Sequence, residues 1–335
     1  MSRKLNATIH DIARHAGVGV GTVSRVLNGS PNVSEATRDH VLEVIAKHGY
    51  RPKSAAQILR TSQTNVIGFI TDEIATTPFA GNVIRGAQDA AWEHNKLLFL
   101  VNTNRNPDLL TAAIEVMLDR QVEGLIYAAM FHQPVTLPEN IYQLPAVLVD
   151  CYSEDGRLPS VTPDEVQGGY DATTHLLAKG HRRIGLINLT EDIPAKVGRH
   201  AGYQQALSDH GIGYDATLVC ERYGEADAGY DGTLALMQLP DPPTALFCFN
   251  DRMAMGAYNA LRKVGKTIPT DIAVMGFDNQ EVIAANLHPS LSTMELPHYK
   301  MGQWAVNYLM THTNQPNLPP VQTKLHCPYI HRDSI

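Results

Sequence analysis

Five short apolar runs in the sequence each end in an acid or an amide. These candidates for ligand chemistry are Asp72, Asp150, Asn188, Asn250-Asp251 and Asp278-Asn279. Carboxylates and amides in that number suit a sugar, because each sugar hydroxyl both donates and accepts hydrogen bonds. Any single one of them could instead cap the helix that follows it. Their number favours a binding site.

Metal, disulfide and enzyme chemistry are not indicated. The four cysteines lie far apart without a Cys-x-x-Cys pair, and the fifteen histidines lack metal-ligand spacing. Gly17-Val18-Gly19-Val20-Gly21 has the wrong spacing for a dinucleotide-binding turn. No nucleophile and base stand out, although the acids could in principle supply the pair of a glycosidase. We expect no metal, no cofactor and no catalytic residue.

Apolar runs alternate with helical periods from residue 65 onward. Helices are predicted near 82–94 and 109–120, and strands at 66–70, 97–101, 124–128, 146–149, 184–187, 245–249 and 272–275. Nearly continuous apolar strands between helices indicate parallel sheets that are covered on both faces. The series restarts near 162–167, which predicts two similar lobes. Open parallel sheets bind ligands beyond the carboxyl ends of their strands, so the polar residues are expected to face one cleft.

Charge is unevenly distributed along the 335 residues. The net charge is −7, but residues 1–62 contain nine Lys/Arg and four Asp/Glu, which leaves the rest strongly acidic. A basic head favours contact with a polyanion, and the acidic body disfavours it elsewhere. Neither a signal peptide nor a membrane helix is predicted, so a cytoplasmic location is expected.

The first sixty residues predict three short helices. Thr8 and Asp11 form a capping box, Gly17 ends the first helix, and a second helix covers about 20–28. A third helix runs from about 34 to 49, with Leu42 expected in the small core. Two helices around a glycine turn are the helix-turn-helix pattern, which binds DNA through polar side chains of the second helix. A small helical bundle with a solvated face is the alternative.

The sequence of this segment resembles the DNA-binding domain of the LacI family almost position for position. The matching residues are Ile9-x-Asp11-Ile12-Ala13-x-x-Ala16-Gly17-Val18, Thr22-Val23-Ser24-Arg25-Val26-Leu27-Asn28 and Gly49-Tyr50-Arg51-Pro52. The resemblance implies phosphate and base contacts by Thr8, Thr22, Ser24, Arg25 and Asn28, with Val20 and Gly21 chiefly selecting the operator. Gly19 replaces the usual capping serine and Gly21 has no side chain to contact a base, so the operator cannot be inferred from better-known members.

The segment 52–64 matches the hinge helix of that family. An isolated helix of this length is marginal in water, so it can form on DNA and melt away from it. The resemblance implies that Leu59 inserts into a minor-groove step and that Ala56 packs against its twin in a partner chain. The alternative is a plain surface linker.

The remaining chain resembles the effector domain of the same family. The matching motifs are Lys196-x-x-Arg199-x-x-Gly202-Tyr203, Phe249-Asn250-Asp251-x-Met253-Ala254 and Ile272-Ala273-Val274-x-Gly276-Phe277-Asp278-Asn279. The resemblance implies effector contacts by Asp72, Phe79, Asp150, Arg199, Asn250 and Asp278, with Phe79 as the stacking residue. Arg199 could instead be a structural ion-pair partner at a helix start.

The expected fold class is α/β, with a three-helix DNA-binding domain at 1–51, a hinge at 52–64 and a two-lobed domain at 65–335, like that of periplasmic binding proteins. The N-lobe is placed at about 65–163 and 296–323, and the C-lobe at about 164–295 and 324–335. The resemblance implies a homodimeric repressor that binds a pseudo-palindromic operator and is induced by a sugar. Four stretches, including Ala75–Phe79, are most similar to sucrose-operon repressors, which suggests sucrose or a related saccharide. A sugar-binding protein without DNA function and an enzyme are the alternatives.

Overall fold

A computed structural model of the chain describes residues 7–50, 64–73, 81–223, 225–312 and 319–335. The chain divides into two compact units, Met1–Thr64 and Asn65–Ile335. Ala56, Leu59 and Phe79 lie outside the described residues. Within the described ranges, no helix has the length and apolar character needed to cross a membrane.

The first unit contains three helices in its described part, α1 (Ile9–His15), α2 (Val20–Leu27) and α3 (Glu35–His48). The predicted capping box is present: Asp11 N donates to Thr8 Oγ1 at 3.3 Å, and Thr8 N donates to Asp11 Oδ2 at 3.0 Å. The core consists of buried apolar residues from all three helices, among them Ile12, Val23, Val26, Val41 and Val44. The prediction that Leu42 faces inward is wrong. Its side chain is exposed, because the inward face of α3 is defined by Val41 and Val44, three residues apart.

The second unit contains twelve strands in its described part. They are β1 (Val66–Thr71), β2 (Leu97–Asn102), β3 (Leu125–Pro134), β4 (Ala146–Tyr152), β5 (Ser160–Pro163), β6 (Ile184–Leu189), β7 (Val219–Arg222), β8 (Ala245–Cys248), β9 (Ala273–Asp278), β10 (Ser292–Glu295), β11 (Gln322–Leu325) and β12 (Tyr329–Ile330). Eight helices of the same described ranges alternate with them: α4 (Gly81–Glu93), α5 (Pro107–Asp119), α6 (Glu165–Ala178), α7 (Pro194–Asp209), α8 (Ala226–Met237), α9 (Asp251–Lys263), α10 (Glu281–Ala284) and α11 (His298–His312).

The strands form two six-stranded sheets, as the two-lobed prediction requires. The N-lobe sheet has the order β11-β5-β4-β3-β1-β2, and the C-lobe sheet has the order β12-β10-β9-β8-β6-β7. All pairs are parallel except β10 with β12. The central strands are almost wholly buried, which explains why they are continuous apolar runs in the sequence.

The chain crosses between the lobes three times, after β5, after β10 and after β11. The third crossing lies later than predicted. Lys324 and Leu325 were expected in the C-lobe, but they continue β11 and pair with Thr162 and Pro163 of the N-lobe sheet. Pairing with β5 provides more backbone hydrogen bonds than a crossing at residue 323 would allow.

Helices on the sheet faces approach each other through glycines. Gly198 and Gly202 of α7 lie so close to α6 that an added Cβ would stand 2.6 Å from Glu165 Cβ and 2.1 Å from Val166 O, respectively. Glycine pairs have the same role between α4 and α11 and between α8 and α9, at Gly86, Gly302, Gly229 and Gly256. Close contact of α6 with α7 fixes the start of α6 beside Arg199, and this position matters for the site below.

Candidate effector cleft and DNA-binding face

A cleft of about 370 Å³ lies between the two sheets of the second unit. This volume is within the usual range for small-molecule sites. Both lobes contribute to its walls, and so does Leu296 at the second crossing. The principal lining residues are Met130, Phe131, His132 and Asp150 from the N-lobe, and Glu165, Arg199, Phe249, Asn250 and Asp278 from the C-lobe.

Arg199 is held in the cleft by two hydrogen bonds and two aromatic rings. Its Nε donates to Glu165 Oε2 at 2.8 Å and its Nη1 donates to the carbonyl of Phe249 at 2.5 Å. The guanidinium also lies over the rings of Phe277 and Phe249, with its carbon 3.6 and 4.3 Å from their centres. Burial lowers the pKa of Arg199, but the nearby carboxylates of Glu165 and Asp278 have the larger combined effect, so the pKa is raised. Arg199 is therefore an ion-paired arginine, as one alternative predicted, and it also lines the cleft; its contact with an effector stays a prediction.

Asp278 ends β9 with a positive φ of 104°, a backbone conformation that non-glycine residues rarely adopt. Its carboxylate accepts a hydrogen bond from Gln280 Nε2 at 3.2 Å and lies 3.6 Å from Arg199 Nη1. Burial raises its pKa to about 6, even though Arg199 works in the opposite direction. A carboxylate held here at a cost to folding is typical of a functional site.

Asp150 contributes the second carboxylate with a positive φ, 55°. It is only 3% exposed, and its Oδ2 lies 3.7 Å from Nε2 of His298, at the start of α11. Its Oδ1 is buried and has no hydrogen-bond partner among the described residues. A buried acceptor without a partner is costly, so Asp150 Oδ1 is suited to receive a donor from a ligand.

His132 lines the cleft from the end of β3. Burial lowers its pKa against the opposing influence of Asp150, which favours the neutral imidazole at pH 7. Its Nδ1 is also buried and unpartnered in the described part of the chain. The imidazole of His132 packs edge-on against the ring of Tyr152, and this contact limits the orientation of the imidazole. A neutral histidine in this position can either donate to or accept from a hydroxyl.

Asn250 is the N-cap of α9, as the capping alternative predicted. Its Oδ1 accepts from Met253 N at 2.8 Å, while the residue also lines the cleft. The amide nitrogen takes no part in that cap. Asn250 Oδ1 therefore has a structural role in the helix cap, and a contact of this residue with an effector stays a prediction.

The other strand-end residues do not line this cleft. Asp72 lines a neighbouring cavity, where it accepts from Glu73 N at 2.6 Å and lies 3.8 Å from Arg105 Nε. Burial raises its pKa. Asn188 and Asp251 are buried in hydrogen bonds of the fold: Asn188 Oδ1 accepts from Leu189 N, and Asp251 accepts from Gln280 N and Thr293 Oγ1.

Most of the cleft lining was not predicted from the sequence, including the polar side chains of Glu165, His132 and Arg105. Glu165 follows the N-cap Asp164 and resembles an ordinary first-turn acid, so only its contact with Arg199 distinguishes it. His132 lies in the part of β3 beyond the predicted strand, where the apolar run has ended. Arg105 follows β2 in a turn where its φ is positive, a feature that only the structure shows. In the described ranges, no group of three or more His, Cys, Asp or Glu could hold a metal ion.

The first unit presents α2 as its candidate DNA-binding helix. Val23 and Val26 are buried, whereas Gly21, Arg25 and Asn28 are exposed and Val20, Thr22 and Ser24 are half-buried. Arg25 Nε donates to the carbonyl of Gly21 at 3.2 Å, and the helix start has no side-chain cap because Gly19 is there. Thr8 is exposed, and its hydroxyl donates to Asp11 at 2.7 Å. Gly21, Arg25 and Asn28 are therefore exposed to solvent on α2, whereas the side chain of Val20 packs partly against the three-helix core.

Each of the two units matches a known protein family. A family described as "Bacterial regulatory proteins, lacI family" matches residues 8–53. A second, described as "Periplasmic binding proteins and sugar binding domain of LacI family", matches residues 64–333.

Individual relatives agree over nearly the full length. The HTH-type transcriptional regulator RegA of Clostridium saccharobutylicum is 33% identical over 98% of this chain and 98% of its own. The sucrose operon repressor of Escherichia coli is 34% identical over 91% of this chain and 93% of its own. The solved structure of the lac repressor dimer bound to operator and the anti-inducer ONPF has a TM-score of 0.79 at 25% identity, covering 98% of this chain and 99% of that one. A transcriptional regulator CelR–cellobiose complex has a TM-score of 0.68 at 29% identity over 98% and 99%.

Proposed function

This chain belongs to the LacI family of bacterial regulatory proteins, and on that premise we propose that it is a homodimeric repressor whose operator affinity falls when a sugar occupies the cleft. The observation that carries the proposal is that one cavity, lined by both lobes, contains Asp150, Arg199, Asn250 and Asp278. A ligand that contacts both lobes favours their closed arrangement, because it binds that arrangement more tightly. Closure is then coupled to DNA affinity through residues 52–64, nearly all of which lie outside the described residues.

We propose sucrose as the first saccharide to test. The support is the 34% identity to a sucrose operon repressor. Relatives with other names, such as the ribose operon repressor of Haemophilus influenzae at 32%, are almost as similar, so cellobiose, ribose and fructose belong in the same panel. Coupling of about 1–3 kcal/mol would change operator affinity roughly 5- to 150-fold.

The proposed DNA contacts are those of α2 and its surroundings. A duplex selected from a random pool by the full-length protein would serve as the operator probe. Arg25→Ala is expected to weaken binding about tenfold or more and to reduce the dependence on salt, because a phosphate or base contact is lost. Arg14→Ala is the matched control, since Arg14 is an exposed arginine on α1 that pairs with Asp11 at 3.4 Å.

The sugar response is tested by measuring affinity for that duplex across the saccharide panel. A sugar that lowers the affinity supports induction. A sugar that raises it would reverse the sign of the proposed regulation. Arg14→Ala weakening binding as much as Arg25→Ala would contradict the assignment of α2.

A further inference from the structure

The cleft contains more acidic than basic side chains. Its lining includes six carboxylates, Glu73, Asp150, Glu165, Glu191, Glu225 and Asp278, against three guanidiniums, Arg105, Arg199 and Arg252. His132 adds no charge at neutral pH, because burial lowers its pKa. A ligand in this cleft therefore enters an environment with an excess of negative charge.

Each cleft arginine contacts a carboxylate of the protein. Arg105 Nη2 lies 2.9 Å from Glu73 Oε2, and Arg252 Nη1 lies 2.6 Å from Glu225 Oε1. Both pairs are partly exposed, so each contributes little to stability. Their effect on binding is different, because an anionic ligand would have to compete with a tethered carboxylate for each guanidinium.

The third pair is more restrictive. Arg199 and Glu165 are 4% and 5% exposed, and their nitrogen and oxygen lie 2.8 Å apart. Separating a buried pair leaves an uncompensated charge away from water, which is strongly unfavourable. Arg199 can therefore offer its remaining N–H groups to a neutral acceptor, but it cannot easily be transferred to a phosphate.

The opposite wall of the cleft requires a donor. Asp150 Oδ1 is buried and unpartnered among the described residues, and Asp278 lies on the facing lobe. A hydroxyl can donate to such a carboxylate, whereas at neutral pH a carboxylate group is deprotonated and a phosphate ester is mostly so. The same position would place like charges together, and unfavourable contacts of this kind give specificity against the wrong ligand.

We infer that the effector is a hydroxyl-rich saccharide without a phosphate or carboxylate group, and that the paired arginines and the unpartnered Asp150 make the cleft reject the phosphorylated form of the same sugar. This inference rests on the proposed function, because it concerns the effector of that cleft.

The test uses matched pairs on the full-length protein. Sucrose and sucrose 6-phosphate, glucose and glucose 6-phosphate, and fructose and fructose 6-phosphate are compared by calorimetry and by thermal unfolding, which report occupancy without DNA. The best binder is expected to be a neutral sugar, at least tenfold tighter than its phosphate ester. A phosphate ester that binds equally or more tightly overturns the inference, and so does a panel in which no member binds. Operator affinity, measured on the same samples, tests the proposed function separately, since occupancy without a change in DNA affinity refutes that function alone.

Two substitutions separate charge from shape. Glu225→Gln removes the carboxylate that pairs with Arg252. This substitution is expected to reduce the ratio of the affinity for the neutral sugar to that for its phosphate ester about five- to tenfold. Glu139→Gln is the matched control, because Glu139 pairs with Arg157 at 3.3 Å outside the cleft lining, and it should leave the preference unchanged. Equal effects of the two changes would contradict the charge argument.

Discussion

Replacing Asp278 by asparagine should stabilise the protein while it weakens effector binding. The substituted side chain would keep the shape of the original, and its amide oxygen could still accept the hydrogen bond from Gln280. Arg199 would keep the carboxylate of Glu165 and the carbonyl of Phe249 as its two close partners. The change therefore removes mainly the cost of burying a charge.

The magnitude follows from the pKa of Asp278, which burial raises from 3.8 to about 6. The folded protein holds the proton more tightly than the unfolded chain does, so the stability of the wild type falls as pH rises from about 4 to about 6 and then levels off. The cost reaches about 3 kcal/mol above pH 7, at 1.36 kcal/mol for each tenfold change in proton affinity. Asp278→Asn should recover up to that amount at pH 7.5.

The assay is urea unfolding of both proteins at pH 7.5, 5 and 4, followed by calorimetry with the best saccharide. The advantage of the variant should halve near pH 5 and almost vanish near pH 4, where the wild-type carboxyl is protonated in the folded state and partly so in the unfolded state. Effector affinity at pH 7.5 should fall at least tenfold. A variant less stable than the wild type at pH 7.5 would refute the reasoning, because the carboxylate would then be a net stabilising partner of Arg199.

Three other substitutions test contacts described above. Gly198→Ala should lower the free energy of unfolding in urea by about 1–3 kcal/mol and weaken effector binding, because the added Cβ would stand 2.6 Å from Glu165 Cβ. Gly213→Ala is the control, since Gly213 has open space around it, and it should change neither quantity. Asn250→Ser should change the free energy of unfolding by no more than about 0.5 kcal/mol, since serine caps a helix equally well, but calorimetry should show weaker effector binding. Unchanged effector affinity would mean that Asn250 serves only as the helix cap. Thr8→Ala should lower the melting temperature through the loss of about 1 kcal/mol of helix capping, and a melting temperature equal to the wild type would contradict that role.

The architecture was predictable because buried parallel strands leave a simple pattern. The apolar runs at 66–70, 146–149 and 184–187 correspond to β1, β4 and β6, whose side chains are nearly all buried. The tail of β3 from Met130 to Pro134 was not predicted, since its residues are half-buried or exposed and the apolar run ends at His132 and Gln133. The short strand β12 has only two residues, too few for any period to show.

The cleft was predictable only in part. Asp150, Asn250 and Asp278 follow apolar runs, so their common edge could be inferred, and the cleft brings them together with Arg199. Asn188 and Asp251 follow equally apolar runs, but hydrogen bonds within the fold use them instead. Glu165 and Arg199 are distant in sequence, and their contact depends on glycines that let α6 and α7 approach. A local pattern does not contain such a contact, so the charge balance of the cleft emerges only from the folded arrangement.

The most direct measurement is the affinity of the full-length protein for its selected duplex at fixed salt, with and without the saccharide that calorimetry identifies as the tightest binder. We expect the affinity to fall roughly 5- to 150-fold for the wild type and to stay constant for Asp150→Ala, which removes a cleft carboxylate and leaves the sequence of the first unit unchanged. Wild-type affinity that does not change while the cleft is saturated would contradict the claim that sugar in the second unit controls DNA binding by the first.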